Sequence, residues 1–348
     1  MARNRFFTVF AYGKETTKGT PVNATRIRVG QAPRIVSDRK PQFIEEQFNV
    51  RMGSRRIKAD YERLFMNTIT TPEAGFQQLV MPFLTGLKGG LTPTEQTASQ
   101  GDYLWTFTPN LTAAAGENTP DAITGYFYDD EKCWRVPYML TSRITIKGSV
   151  AQDGGAAPVS LEQEMFGRYI KEQSLGGTPT LESSTPMNAK LTQLFLDSAW
   201  SGVGGTEVSD ALVDFTVEIL TGVHPKFRGS SSTLDSQSEL KNYFNSHGEG
   251  IIAYNATFTL DTSQRDEEFA SHQAGSLRVA RLKINGPQIG SGENHSLTVD
   301  MGGGWESASP IDNEDRGDNL ATYALRGIYD DTGAKGLQVA LSTSQSTI

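Results

Sequence analysis

The chain has 348 residues, 37 % hydrophobic and 21 % charged, with 35 glycines and 15 prolines, a balance that suits about two folded domains and excludes wholesale disorder or a collagen-like repeat. A single cysteine, Cys133, excludes an internal disulfide framework and a multi-cysteine zinc site. The net charge of −8 conceals a polarity, because residues 1–87 carry 14 Lys/Arg against 7 Asp/Glu while residues 88–348 carry 18 against 33. A basic end of net +7 and an acidic body of net −15 read either as a solvated basic face, the commoner fate of scattered charge, or as a basic end that docks on the acidic body of another copy.

The opening Phe6-Phe7-Thr8-Val9-Phe10 follows two arginines, but its apolar run is too short for a signal peptide. No segment approaches the length of apolar chain that crosses a bilayer, so a cytoplasmic protein, or one released by lysis, is expected and no membrane partner. Period-two alternation predicts strands at Ala24–Val29, Trp105–Thr108, Gly125–Tyr128, Arg143–Lys147, Asp214–Leu220, Ala256–Leu260, Leu282–Ile284, Ser296–Asp300 and Leu337–Leu341. The phase slips between Val279 and Leu282, which predicts a bulge near Ala280-Arg281. One helix is expected over about 72–87, capped by Thr71 and Pro72, with Phe76, Leu79, Val80, Phe83, Leu84 and Leu87 on one face and a kink or break at Pro82. A second, shorter helix is expected from Asp235 to Gly248.

An internal repeat organises these elements. Arg143-Ile-Thr-Ile-Lys-Gly148 matches Arg281-Leu-Lys-Ile-Asn-Gly286 at an offset of 138, and Pro158–Glu162 falls on Ser296–Asp300 in the same register. Trp105–Thr108 resembles Ala256–Thr259 at an offset of 151. The fold class expected is mainly β, with two tandem sandwich-like or barrel-like domains, residues 1–201 and 202–348, joined near Gly202–Gly205.

No active site assembles from the residue types present. His224, His247, His272 and His295 lack metal-motif spacing and read as surface or turn residues. There is no Gly-x-Ser-x-Gly, no P-loop and no Gly-x-Gly-x-x-Gly, and Cys133 reads as structural, so neither catalysis, cofactor nor metal is expected. The acids at Asp129-Asp130-Glu131 read as turn residues. With Tyr103, Trp105, Tyr126, Phe127, Tyr128 and Trp134 nearby, a sugar-binding module or carboxylate hydrolase is the minority alternative. Arg51, Arg55, Arg56 and Lys58 cluster in the basic part, but an acidic body argues against sequence-specific nucleic-acid binding.

Four stretches carry a resemblance: Gly13-Lys-Glu-Thr-Thr-Lys-Gly-Thr-Pro-Val-Asn-Ala-Thr25, Gly101-Asp-Tyr-Leu-Trp-Thr-Phe-Thr-Pro109, Ile144-Thr-Ile-Lys-Gly148 and Leu325-Arg-Gly-Ile-Tyr-Asp-Asp331. With them the chain resembles the major tail tube proteins of long, non-contractile-tailed bacteriophages. The resemblance implies a virion protein without enzymatic activity, assembled in the host cytoplasm into stacked rings through which DNA passes. Its partners would be other copies and further tail proteins such as the tape measure, tail terminator and distal tail proteins. Family rings look like six tube folds, so two folds per chain imply three chains per ring. The insertion from Arg51 to Gly101 departs from a minimal tube domain. Phe6, Phe7, Phe10, Arg51, Arg55, Arg56 and Lys58 are the candidate contacts between subunits, and a distal-tail or decoration protein is the nearest alternative.

Overall fold

The computed structural model describes residues 9–30, 35–44, 56–112, 116–129, 131–150, 157–208, 211–227, 244–261, 265–315 and 318–348. The first half holds β1 (Val9–Lys14), β2 (Arg26–Arg28), β3 (Arg39–Ile44), β4 (Arg56–Arg63), β5 (Phe65–Thr71), helix α1 (Val80–Gly86), β6 (Thr94–Glu95), β7 (Tyr103–Phe107), β8 (Ile123–Tyr128), β9 (Cys133–Ser149), β10 (Ser160–Gly167), β11 (Lys171–Glu172), β12 (Thr180–Leu181) and β13 (Thr192–Asp197). The second half holds β14 (Leu212–Leu220), β15 (Val223–Lys226), β16 (Ser246–Glu249), β17 (Ala253–Asp261), helix α2 (Arg265–Ala274), β18 (Arg278–Gln288), β19 (Asn294–Asp315), β20 (Asp318–Gly327) and β21 (Leu337–Thr343). The fold is mainly β, as the alternation predicts, with 53 % of the described residues in strands and 9 % in helices.

Three layers account for most strands. Layer one runs β5-β10-β9-β14-β17-β20-β19, every pair antiparallel. Layer two runs β13-β18-β19-β21-β7-β6. Layer three runs β11-β9-β8-β1-β2-β12. Two long strands therefore serve two layers each. In β9, Cys133–Met139 pairs in layer three, and from Leu140 onward the strand pairs in layer one. In β19, Ser296–Met301 lies between β18 and β21, and the rest turns along β20.

Each crossing has a local cause. The β19 corner is Gly302-Gly303-Gly304, where a Cβ on Gly303 would lie 2.4 Å from the Arg326 carbonyl oxygen and one on Gly302 would lie 3.1 Å from the Trp200 indole. Only a chain without side chains brings these backbones so close. The β9 corner instead holds Tyr138 at φ 56°, a left-handed conformation that costs free energy in a non-glycine residue and must be held by its surroundings. Glu15 Oε1 accepts the Tyr138 amide at 2.8 Å, and the Arg168 guanidinium lies 4.6 Å from the ring centre.

The inner faces of layers one and two share one core, built from Ile144, Ile146, Phe215, Val217, Phe258 and Tyr323 on one side and Leu282, Ile284, Val299, Val339 and Leu341 on the other. Phe76, Val80, Phe83 and Leu84 pack into it, so the apolar stripe serves the core. Layer three closes over Phe65, Ile69 and Met165 of layer one through Phe10, Tyr12, Phe127 and Met139.

Several expectations are corrected. The helix does not start at Thr71: β5 runs to Thr71, Ala74 is held in extended backbone bonds to Val159 and Met187, and a 3₁₀ turn at Phe76–Leu79 precedes α1. Pro82 sits near the start of α1, where its missing N–H costs least. No bulge interrupts Ala280-Arg281, because β18 pairs continuously from Arg278 to Asn285 and the irregularity lies between Asn285 and Gln288. Val279 is buried on the face opposite Leu282, so both faces are covered at this end and the alternation loses its phase there.

The junction near Gly202–Gly205 does not divide the sheets: β14 pairs with β9 across it, β13 with β18 and β7 with β21. The two stretches matched at offset 138 both form hairpins, β9–β10 and β18–β19, but their registers differ by two residues, since Ile146 faces Leu161 whereas Ile284 faces Leu297 rather than Val299. An even slip keeps the faces. Trp105–Thr108 and Ala256–Thr259 fall in different layers, so that match carries no structural equivalence. The helix expected from Asp235 lies mostly outside the described residues; its Phe244 is buried beside Tyr138.

Candidate assembly surface

The outer face of layer one is a broad polar surface formed by both halves of the chain. Rows of partners cross it strand by strand: Thr70, Glu162, Thr145, Glu218, Asn255 and Arg326 lie side by side, as do Lys147, Thr216, Thr257 and Ala324. Arg143 binds Glu164 at 2.6 Å, Glu218 at 3.2 Å and Glu162 at 3.3 Å. Acids outnumber bases on this face, with Asp214, Glu162, Glu164, Glu218, Asp261 and Glu306 against Arg143, Lys147 and Arg326.

At the edge of this layer β5 pairs with β10 and with no other strand among the described residues, while the Asp38 carbonyl accepts the Leu64 amide at 3.0 Å at its start and Gly30 lies against Thr71 at its end. The strand reads Phe-Met-Asn-Thr-Ile-Thr-Thr, with no charge, proline or bulge, and Met66 is 58 % exposed. The Thr68 amide donates to Asn67 Oδ1 at 2.8 Å rather than to β10, so its bonding direction belongs to the free side. At the other edge, β19 beyond Gly304 carries two register shifts and Pro310, and His272 Nδ1 lies 3.0 Å from the Trp305 carbonyl oxygen. A long, flat, uncharged edge is what isolated soluble sheets avoid and paired sheets require.

Two two-stranded pairs stand apart from the layers, β3 with β4 and β15 with β16. Arg56 and Lys58 fall on β4, so the basic insertion is a hairpin of its own, rooted where Arg63 Nε meets Asp38 Oδ2 at 2.7 Å and Arg63 Nη2 reaches the Ile170 carbonyl. Phe6, Phe7, Arg51 and Arg55 lie outside the described residues. Phe10 is corrected: it is 2 % exposed and packs on Phe127 with ring centres 5.0 Å apart, so its side chain is spent in the core of its own chain.

The aromatic and acidic segment is divided: Tyr103, Tyr128 and Trp134 are half-buried, and Tyr128 lines a shallow groove with Asp129, Glu131, Lys132 and Glu172, whereas the other three aromatics face inward. Trp105 and Tyr126 are each 2 % exposed and spend their polar atoms inward, on the Gln345 and Val22 carbonyls, and Phe127 is fully buried. Asp129 Oδ1 accepts the Glu131 and Lys132 amides of the tight β8–β9 turn, and Glu172 pairs with Lys132. Burial, with Asp129 adding to it, pushes the Cys133 thiol up to about 11, so it stays protonated and unreactive at neutral pH.

The histidines are not all surface residues. His295 is 5 % exposed and stacks on Phe76, and His247 Nδ1 lies 2.9 Å from the Tyr138 hydroxyl; burial holds both pKa values below the usual imidazole range. Among the described residues no three His, Cys, Asp or Glu side chains gather to hold a metal ion, and no helix is long and apolar enough to cross a membrane.

The sequence reading missed α2 and the glycine corner. Helix α2 turns Glu268 inward, where it takes two bonds from Arg278 and, at 2.8 Å, the Trp305 indole N–H. Three consecutive glycines inside an alternating pattern were the available signal for the corner. No protein-family model matches the chain, and no curated protein matches it at a significant level.

Proposed function

We propose that the protein is a structural protomer that closes into rings, and that the rings stack into a hollow tube, the phage tail tube reading to which the sequence resemblance points. The observation that carries it is layer one: one antiparallel sheet of seven strands, drawn from both halves of the chain, that ends at β5, which no second strand pairs among the described residues. Pairing of β5 with the β19 side of the next copy is head-to-tail, and such contacts close into a ring when the rotation permits. Three copies give twenty-one strands, which at about 4.8 Å spacing make a ring about 32 Å across before strand tilt widens it. A barrel of that size encloses a channel rather than a side-chain core.

The outer face of layer one then lines the channel. Its excess of carboxylates repels a phosphate backbone, and its threonines offer short uncharged side chains, a surface past which DNA moves without being held. In this reading the chain has no catalytic role and no cofactor, its partners are other copies and further tail proteins, and its place is the virion tail. The isolated β3–β4 hairpin fits contact between rings, since a lone two-stranded hairpin is marginal by itself.

Electron microscopy of the purified chain, alone and with a tail-assembly initiator, tests the proposal beside a Thr68→Pro variant. The parent is expected to form rings or hollow tubes. Thr68→Pro, which removes an edge amide that β10 does not use, is expected to stay folded and monomeric. A parent that remains a monomer under all conditions refutes the reading.

A further inference from the structure

The two seams of the fold are built differently. Between layers one and two the facing side chains are apolar, as with Ile146, Val217 and Phe258 against Leu282, Val299 and Leu341. Between layers one and three the apolar contact is smaller, with Phe10, Tyr12, Phe127 and Met139 against Phe65, Ile69 and Met165. A charged pair interrupts it. The parallel pairing of Thr180 with Arg26 and Leu181 with Ile27, continued by the bond from the Glu182 amide to the Ile27 carbonyl at 2.8 Å, sets Glu182 beside Arg28. Strand alternation leaves Leu181 exposed and turns Glu182 inward at 2 % exposure, with Arg28 at 6 %.

Neither charge is fully satisfied. Arg28 donates from Nη1 to Gln163 Oε1 at 3.1 Å, and Gln163 continues the chain to Thr141 Oγ1 at 2.7 Å, which lies 2.6 Å from Thr85 Oγ1. Glu182 Oε1 accepts the Tyr12 hydroxyl at 2.9 Å. Arg28 Nε and Nη2 and Glu182 Oε2 are buried without a hydrogen-bond partner, and so is Thr71 Oγ1 at the end of β5. A buried polar network that is only partly paired is less favourable than an apolar contact of the same shape. The seam of layer three is therefore the weaker of the two.

Residues 344–348 lie across this seam. Beyond β21, Ser344 Oγ accepts from Gln77 at 3.1 Å, the Gln345 carbonyl accepts the Trp105 indole N–H at 2.7 Å, and Thr347 Oγ1 accepts from Arg26 of β2 at 3.2 Å. Ile348 packs on the core of layers one and two and on that of layer three. The segment thus runs from layer two to layer three and fastens one to the other. Among the described residues β9 is the one strand common to layers one and three, and it crosses at Tyr138, whose φ is 56°.

We infer that layer three opens from layer one as a unit, at a free energy below that of global unfolding, and that residues 344–348 are the strap that holds it closed. Openings of this kind follow the boundaries of weakly packed units. This one belongs to the single chain and does not depend on ring formation.

Native-state amide hydrogen exchange, below the concentration at which the chain assembles, tests the opening on the parent and two variants. In the parent, amides of β1 and β8 are expected to exchange about tenfold or more faster than those of β14 and β17. Arg28→Met together with Glu182→Leu replaces the half-paired charges by apolar side chains and is expected to slow β1 and β8 by about tenfold. Ile348→Asp places a charge under the strap and is expected to speed them by a similar factor. Equal protection of all four strands in the parent would overturn the separate opening. A double variant that exchanges faster, or that does not fold, would overturn the weakness assigned to the charged pair, and unchanged exchange of β1 and β8 in Ile348→Asp would overturn the strap.

Discussion

Layer one and the sheets that face it treat their edges in opposite ways. Layer two ends at β6, only two residues long, and at β13, whose outer side is closed by a bridge from Phe195 to Glu207 and a bond from the Leu196 amide to Thr206. Layer three ends in the two-residue strands β11 and β12. Layer one alone ends in a seven-residue strand that no second strand pairs among the described residues, with Asp38 and Gly30 at its two ends. Short, covered edges belong to a sheet that is finished within the chain, and a long bare one to a sheet that another chain completes. The same contrast separates the two corners that join the layers: three glycines make room at β19, and a strained tyrosine held by Glu15 and Arg168 makes the turn at β9.

The largest effect is expected from breaking the β19 corner. Gly303→Val places a branched side chain where even a Cβ would lie 2.4 Å from a carbonyl oxygen, and should cost about 3 kcal/mol or more, read by denaturant unfolding. Retention of full stability would show that layers one and two are not locked at this point. Next in size is Glu268→Ala, which leaves the buried Arg278 only the exposed Glu267 at 3.3 Å and removes the acceptor of the Trp305 indole N–H. A loss of about 2–3 kcal/mol is expected, and Arg278→Met together with Glu268→Leu should recover part of it.

A smaller effect concerns pH. His247 and His295 are held below their ordinary pKa by burial, so the unfolded chain takes up their protons first as pH falls through about 6.5, and stability declines with it. Glu15 and Glu182 act in the other sense at lower pH, because burial raises their pKa and the folded state holds its protons more tightly. Thermal melts from pH 8 to pH 5.5 should therefore fall, and His247→Gln with His295→Gln should flatten the slope; an unchanged slope assigns the loss to other groups. The smallest effect on the monomer belongs to Thr68→Pro, about 1 kcal/mol or less. Against it stands complete loss of ring closure, which makes this substitution the sharpest probe of the edge.

Much of the fold was legible because half-buried strands alternate, and Arg143–Lys147, Asp214–Leu220 and Ala256–Leu260 each fall within the strand that their alternation predicted. Helix α2 was not, since its inward residue is a glutamate satisfied by a distant arginine, and periodicity counts only apolar residues. The domain junction misled for a related reason: β7 and β13 belong by sequence to the first half and by pairing to the sheet of the second. Phe10 read as a contact between subunits because its core partners, such as Phe127 and Phe65, lie far along the chain. The basic insertion was visible as charge. The polar face of layer one was not, because it exists only once strands from Phe65 to Gly327 are placed side by side.

The central claim is that β5 closes a ring of three chains. A three-dimensional reconstruction of the assembled protein by electron microscopy tests it most directly. The expected result is a threefold ring in which density for Phe65–Thr71 continues into a strand of the neighbouring chain and the face bearing Glu162, Glu218 and Thr257 lines the channel. A ring in which β5 remains unpaired, or a particle whose channel is lined by any other face, would contradict the account.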